Sequence, residues 1–326
     1  MSESYMTQGI AFVLLHYGQY ETSLRCAENL LEKLEGRYHI IIVDNASPDG
    51  SGQKLKKRFE VEECVEVILL EQNKGFSGGM NEGYKSAKEQ GYHFIALINN
   101  DTLVLSEHIC EIIWKDYEQY GFGVLGPHIE NPDGLGGFNT NPNHGIEIND
   151  TQMAKLLERS IQEMERWIAL DDLHLATAVK KIEHWKASIK IKIKKILRIQ
   201  QRIDNTMEVV RNRAKEREQF AFNCGLHGSY LILGPAFVEE FEGLEPVTFL
   251  YGEEWLLYRR CRMKGLPMIY DPNIRIWHDE HAVQKMQTGS GIKKMINRWR
   301  VERESHQQIL KYIEKEHLAG RIFEIK

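Results

Sequence analysis

No run of the roughly 18 uncharged apolar residues that a membrane-spanning helix needs occurs in this 326-residue chain. Its longest apolar segments, residues 10–15 and 40–43, are strand-sized. The start, MSESYMTQG, lacks the basic residues and apolar core of a secretory signal. Cys26, Cys64, Cys110, Cys224 and Cys261 show neither CxxC nor paired spacing, which excludes a disulfide framework and a zinc cluster and predicts a reducing, cytoplasmic setting. GxGxxG is missing after the first apolar strand, where His16 and Tyr17 stand instead, so a dinucleotide-binding dehydrogenase is disfavoured.

Glycine and proline are missing in one place. All 34 lie outside residues 146–224, where an even spread would put about eight, and both are the costliest residues in helix interiors. The segment therefore reads as a helical insertion. Met153, Leu157, Met164 and Ile168 draw one apolar stripe at helical spacing; after Asp171-Asp172 a longer one runs from Ile182 through Trp185 to Val210. From residue 172 to 217 there are 13 basic and five acidic residues, leaving 29 and 42 for the rest, so the net charge of −5 conceals a +8 arm on a −13 body. A coiled coil that mediates self-association and an interfacial helix on an anionic membrane both fit this arm; nucleic acid does not, given the acidic body.

Around the insertion the pattern is α/β. Residues 10–16, 39–44, 65–70 and 94–98 are short β-branched strands alternating with helical segments over 20–34, 53–59 and 81–90, which implies a mostly parallel sheet flanked by helices. Such sheets bind ligands at the carboxyl ends of their strands. Asp44 and Asn45 follow the second strand in a turn-forming cluster that also offers a nucleotide hydrogen-bond partners. Asn73-Lys74-Gly75-Phe76-Ser77-Gly78-Gly79 reads as a glycine-rich turn that lets a ligand approach the backbone. The fourth strand ends in Asn99-Asn100-Asp101, and one well-placed carboxylate suffices for a diphosphate-bound Mg²⁺ or Mn²⁺. Downstream, Glu253-Glu254 precedes Arg259-Arg260, and His278 closes another strand.

In this order the motifs resemble the inverting glycosyltransferase family 2, of GT-A fold, and within it the rhamnosyltransferase-like enzymes of bacterial surface polysaccharides. Its pattern VDNxSxDGS, NxGFxxGxNxG, NNDT, a Glu-Asp/Glu pair followed by Arg, and a final His covers residues 10–132 and 222–281. The resemblance implies a nucleotide-sugar-binding half over 1–145 and an acceptor and catalytic half over 222–285; the helical insertion over 146–221 and a C-terminal helical segment over 286–326 lie outside the common pattern. It assigns the nucleotide-sugar donor to His16, Tyr17, Asp44, Asn45, Asn73, Gly75, Asn100 and Arg260, the metal to Asp101 and His278, and the base to Glu254, with Glu253 as the alternative. Asn99 and Leu256 stand where many members carry aspartate.

The implied reaction moves a sugar from a UDP- or dTDP-sugar to a hydroxyl of a saccharide or lipid-linked saccharide, with inversion. Glu254 takes the hydroxyl proton and Mg²⁺ or Mn²⁺ neutralises the leaving diphosphate. Two other classes fit less well. A sugar-nucleotide pyrophosphorylase would want a basic glycine-rich loop after the first strand, and a non-catalytic scaffold would have no need of Asp101, Glu254 and His278 together.

Overall fold

The computed structural model describes residues 9–131, 141–142, 148–182, 218–279 and 291–324. Strands β1 (Ile10–His16), β2 (Tyr38–Asp44), β3 (Val65–Leu69) and β4 (Phe94–Asn99) form a parallel block in the order β3-β2-β1-β4. In register, His16 lies beside Asp44 and Leu15 beside Asn99, so three carboxyl ends finish level. The sheet continues through β8 (Tyr230–Leu233), β6 (Val124–Glu130), β9 (Met268–His278) and β5 (Thr102–Val104), with β7 (Ala221–Phe222) also on β9. Here β8 is antiparallel to both its neighbours, and β5 and β7 are antiparallel to β9. The expected α/β sheet flanked by helices is present, its parallel character concentrated in the first half.

Strand alternation builds two cores. Ala11 and Val13 of β1 pack with Met80 and Tyr84 of helix α3 (Gly75–Glu89), while Ile10, Phe12 and Leu14 face Cys26, Ala27 and Leu30 of α1 (Tyr20–Lys33). Leu55 of α2 (Ser51–Arg58) joins the second layer. The glycine-rich stretch is not the turn that composition suggests, because α3 starts at Gly75, six residues before the expected helix. A Cβ at Gly83 would come 2.4 Å from Val13 and 2.8 Å from Val43, and one at Gly79 2.6 Å from Leu15. Glycine costs a helix interior about 0.5–1 kcal/mol, and here that cost is offset by close packing of α3 on the sheet.

The remaining helices are α4 (Ile109–Tyr120), α5 (Asp150–Asp172), α6 (Pro235–Glu240), α7 (Glu253–Lys264) and α8 (Gly291–Leu318). Helix α5 starts on a capping box between Asn149 and Gln152. Its stripe Met153, Leu157, Met164 and Ile168 is buried, as the spacing predicts. The boundary placed at residue 146 does not coincide with a packing boundary: Met153 and Leu157 share a core with Val124, Leu256 and Ile309. Asp150, 1% exposed, accepts from Arg259 Nε at 2.7 Å and Nη2 at 2.9 Å, from Phe323 N at 2.9 Å, and pairs with His317. Farther along, Trp167 and Ile168 meet Ile292 and Ile296 of α8, and Arg300 pairs with Asp171 and Asp172. Most of the second stripe and the basic arm, residues 183–217, lie outside the described residues. All five cysteines are free, and among the described residues no helix is long and apolar enough to cross a membrane.

Asp116 of α4 and Asp271 of β9 are both buried, the latter just before the irregularity where Pro127 and His128 of β6 shift register against β9. Burial and then the Asp271 carboxyl push Asp116 up to about 8. A carboxyl raised on folding contributes stability that is complete below its unfolded value, near 4, and lost as pH rises through its folded value. Asp116→Asn keeps a donor and cannot ionise. Its melting temperature should gain on the wild type from about pH 4 to pH 8, by a few degrees, and hold that lead above. Thermal scans across this range test it, and a pH-independent gap would overturn the raised pKa of Asp116.

Candidate active site

The turn after β4 carries Asn100 and Asp101 into β5, and the antiparallel β5–β9 pairing sets Thr102 opposite His278. Register alone thus brings together two residues 177 positions apart: His278 Nε2 lies 3.3 Å from Asp101 Oδ1. Asp279 N donates to the Asp101 carbonyl at 2.9 Å, and Asp101 and His278 are each 5% exposed. Asp101 Oδ1 is buried and accepts no hydrogen bond, and neither does Asn99 Oδ1. A bare carboxylate oxygen beside an imidazole suits Mg²⁺ or Mn²⁺, with phosphates and water completing the shell. A cleft of about 370 Å³ reaches this point between α1 and β5, lined by Arg25, Glu28, Asn100, Asp101 and Asp279 among others.

The expected donor contacts are largely spent on holding the strand ends together. His16 is fully buried, its Nδ1 2.7 Å from Ser23 Oγ and its Nε2 2.7 Å from Ser51 Oγ. Ser51 Oγ donates to the Asp49 carboxylate, so it must accept from His16 Nε2–H, and Ser23 Oγ, which accepts from Asn100 Nδ2, can donate to Nδ1. Burial lowers the His16 pKa and keeps this ring neutral. Asn45 clamps the next loop: its Nδ2 donates to the Gly75 carbonyl at 2.9 Å and its Oδ1 accepts from Lys74 N at 2.8 Å. Asp44 accepts from Ser47, and Asn73 from Gly75 N. Gly75, at φ +73°, backs onto Phe249, whose carbonyl would lie 2.4 Å from a Cβ there. Tyr17, 48% exposed, stands beside this cluster at the end of β1.

The glutamate pair opens α7 after two left-handed residues, Tyr251 at φ +72° and Gly252 at φ +90°. A tyrosine in that region is strained. Glu253 is 7% exposed with Oε1 unpartnered, and burial followed by the neighbouring Glu254 charge pushes it up to about 8. Glu254 keeps part of its surface accessible and accepts from Gly228 N at 3.2 Å. Burial raises its pKa too, while that N–H and Arg298 act in the opposite direction. At neutral pH Glu253 therefore keeps its proton, while the Gly228 N–H favours the ionised form of Glu254.

Arg260 is not drawn to the strand ends. It bonds the Gly243 carbonyl at 2.9 Å, pairs with Glu245 and covers the Phe241 ring at 4.0 Å. Leu256 is core. Sequence reasoning missed His227, whose ring lies 5.4 Å from that of His278 and whose Nδ1 accepts from Ser229 N. Burial, then His278 and Arg298, lowers it to about 3. The C-terminal helical segment expected over 286–326 contains α8, but its contact with the base loop, where Ser305 Oγ donates to the Leu250 carbonyl, was not foreseen. The signal for His227 was present as a histidine inside the Gly-Leu-His-Gly-Ser run before β8. Among the described residues a separate exposed trio, Glu35, His108 and Glu111, gathers where α1 leads into β2, at the opposite end of the strands.

The model of the family described as Glycosyl transferase family 2 matches residues 12–174, half of the chain. The chain belongs to this family. Its similar relatives include a poly-β-1,6-N-acetyl-D-glucosamine synthase of Staphylococcus aureus, 29% identical over 97 residues, which are 30% of this chain and 23% of the relative. That of Staphylococcus epidermidis is 27% identical over 103 residues, 32% of this chain and 24% of the relative. The chain thus spans about a quarter of these relatives. Among solved structures, S. aureus TarS 1-349 with UDP-GlcNAc aligns with a TM-score of 0.35 and 15% identity over 40% of this chain and 36% of the other. GalNAc-T7 with UDP, GalNAc and Mn²⁺ gives 0.49 and 11% over 83% and 44%. The sheet and flanking helices of this chain are of the GT-A kind.

Proposed function

We propose that this family 2 transferase moves a sugar from a UDP- or dTDP-sugar to a hydroxyl of a saccharide or lipid-linked saccharide, with inversion, in the synthesis of a cell-surface polysaccharide. The observation that carries the reading is the buried Asp101 carboxylate oxygen, unbonded and facing His278 at 3.3 Å, where β4 ends. Asp101 and His278 would hold Mg²⁺ or Mn²⁺, which when bound offsets the charge that accumulates on a departing diphosphate. Across the site Glu254 accepts the proton of the acceptor hydroxyl as that oxygen attacks the anomeric carbon. The bond from that carbon to the diphosphate breaks in the same step, which inverts its configuration. Glu253, protonated, contributes no second negative charge to oppose ionisation of its neighbour.

The rhamnosyltransferase-like motifs support a dTDP-sugar, and the N-acetylglucosamine relatives support a UDP-sugar. A panel of UDP-, dTDP- and GDP-sugars, assayed for release of nucleoside diphosphate with Mg²⁺ or Mn²⁺, separates them. Turnover of one donor that stops in excess chelator is the expected result; no turnover of any donor with either ion would overturn the reading. The basic arm over 172–217 is proposed to act outside the chemistry, in self-association or at an anionic surface, on the strength of its charge and its Ile/Trp stripe.

A further inference from the structure

The turn His227-Gly228-Ser229, which leads into β8, belongs to none of the motifs that carry the resemblance and lies beyond the residues that match the family model. It nevertheless touches both sides of the site. Gly228 N donates to Glu254 Oε1 at 3.2 Å, and a Cβ at Gly228 would come 2.7 Å from that oxygen, so only glycine admits the approach. The Ser229 carbonyl accepts from Asn99 N at 2.8 Å, two residues before Asp101. Between these two bonds the His227 ring lies 5.4 Å from the ring of His278, whose Nε2 faces Asp101. The backbone of the turn is fixed from behind, where His227 N donates to the fully buried Asn141 at 2.7 Å.

Hydrogen bonding also settles which ring nitrogen of His227 carries the proton. Ser229 N donates to Nδ1 at 3.2 Å, and a backbone amide can only donate, so Nδ1 is bare and Ser229 Oγ, at 2.8 Å, donates to it as well. The proton is therefore on Nε2. The side chain is half-buried, and Nε2 has no hydrogen-bond partner among the described residues. We propose that His227 Nε2–H donates to an oxygen substituent of the sugar being transferred, which makes His227 a specificity-determining residue. The inference rests on the reading of Glu254 as the base and of Asp101 and His278 as the diphosphate side. In an in-line displacement the anomeric carbon lies between the attacking hydroxyl and the departing diphosphate, and His227 is joined to the groups that serve each. A neutral donor can hold a hydroxyl or acyl oxygen there without setting a cation beside a carbon that becomes electron-poor.

Two substitutions in the full-length chain separate a sugar contact from a role in the turn. His227→Asn puts an acceptor where Nδ1 was and nothing where Nε2 was; His227→Gln does the reverse. Calorimetry with Mn²⁺ compares UDP-GlcNAc with UDP and dTDP-rhamnose with dTDP. For the donor that turns over, His227→Asn should weaken the sugar nucleotide roughly three- to tenfold, as for loss of one neutral hydrogen bond, and leave the bare diphosphate unchanged, while His227→Gln stays within about twofold of the wild type for both. Deoxy analogues of that donor give a second measurement: with one of them the wild type shows the same loss, and His227→Asn adds nothing to it. A normal His227→Asn beside a defective His227→Gln, or equal losses for sugar nucleotide and diphosphate, would confine the ring to the turn and overturn the proposal. If no donor is turned over, the reading of the site fails and this inference with it; if one is, and His227→Asn binds it as the wild type does, only the inference fails.

Discussion

Glu254→Gln lowers the rate of sugar transfer by roughly 10²–10⁴-fold, the range for loss of a general base, while nucleoside diphosphate binding is retained. Glutamine keeps the shape and can still accept from Gly228 N through its carbonyl oxygen, so the loop is not released and only the proton acceptor is lost. Glu253→Gln provides the contrast. A carboxyl that carries its proton up to about pH 8 changes little on becoming an amide, so transfer at neutral pH should stay close to that of the wild type. Transfer rates across pH, with nucleotide affinity measured by calorimetry, decide the matter. A dead Glu253→Gln beside a near-normal Glu254→Gln would exchange the two roles.

Asp101→Ala abolishes metal-dependent transfer and leaves the fold intact. Oδ1 of Asp101 accepts no hydrogen bond and faces His278 Nε2 at 3.3 Å, and the strand pairing around it is made by the backbone. Removal of a buried carboxylate that accepts no hydrogen bond should hold or slightly raise the melting temperature without ligand, because the desolvation cost goes with it. Mn²⁺ should stabilise the wild type in the presence of UDP and have no such effect on the variant. Full activity of the variant, or of the parent in excess chelator, would take the metal out of the reaction.

The Asp101–His278 pairing and the glutamate pair could be read from residue order because strand-end chemistry survives in short local motifs. The burial of Met153, Leu157, Met164 and Ile168 could be read because helical periodicity is local too. His16 could not. It looked like a ligand contact at a strand end, and its engagement depends on Ser23 and Ser51, brought in by two separate helices. Nor could the start of α3, since four glycines argue for a turn until Val13, Val43 and Leu15 are seen to leave no room for a Cβ. Arg298 had no signal of its own, being one of several charges on an amphipathic helix whose docking face only the tertiary structure defines.

The seam between α5 and α8 has a mechanical consequence. Trp167 and Trp299 touch, Arg300 grips Asp171 and Asp172, and Ile292 and Ile296 close the apolar interval between the helices. Close-packed interiors yield little under load, so the two helices form a single strut. One end of that strut is the root of the basic arm and the other rests against the base loop through Ser305 and Ile309. A displacement imposed on α5 at the arm end would be carried by α8 to the base loop and not taken up between the two helices.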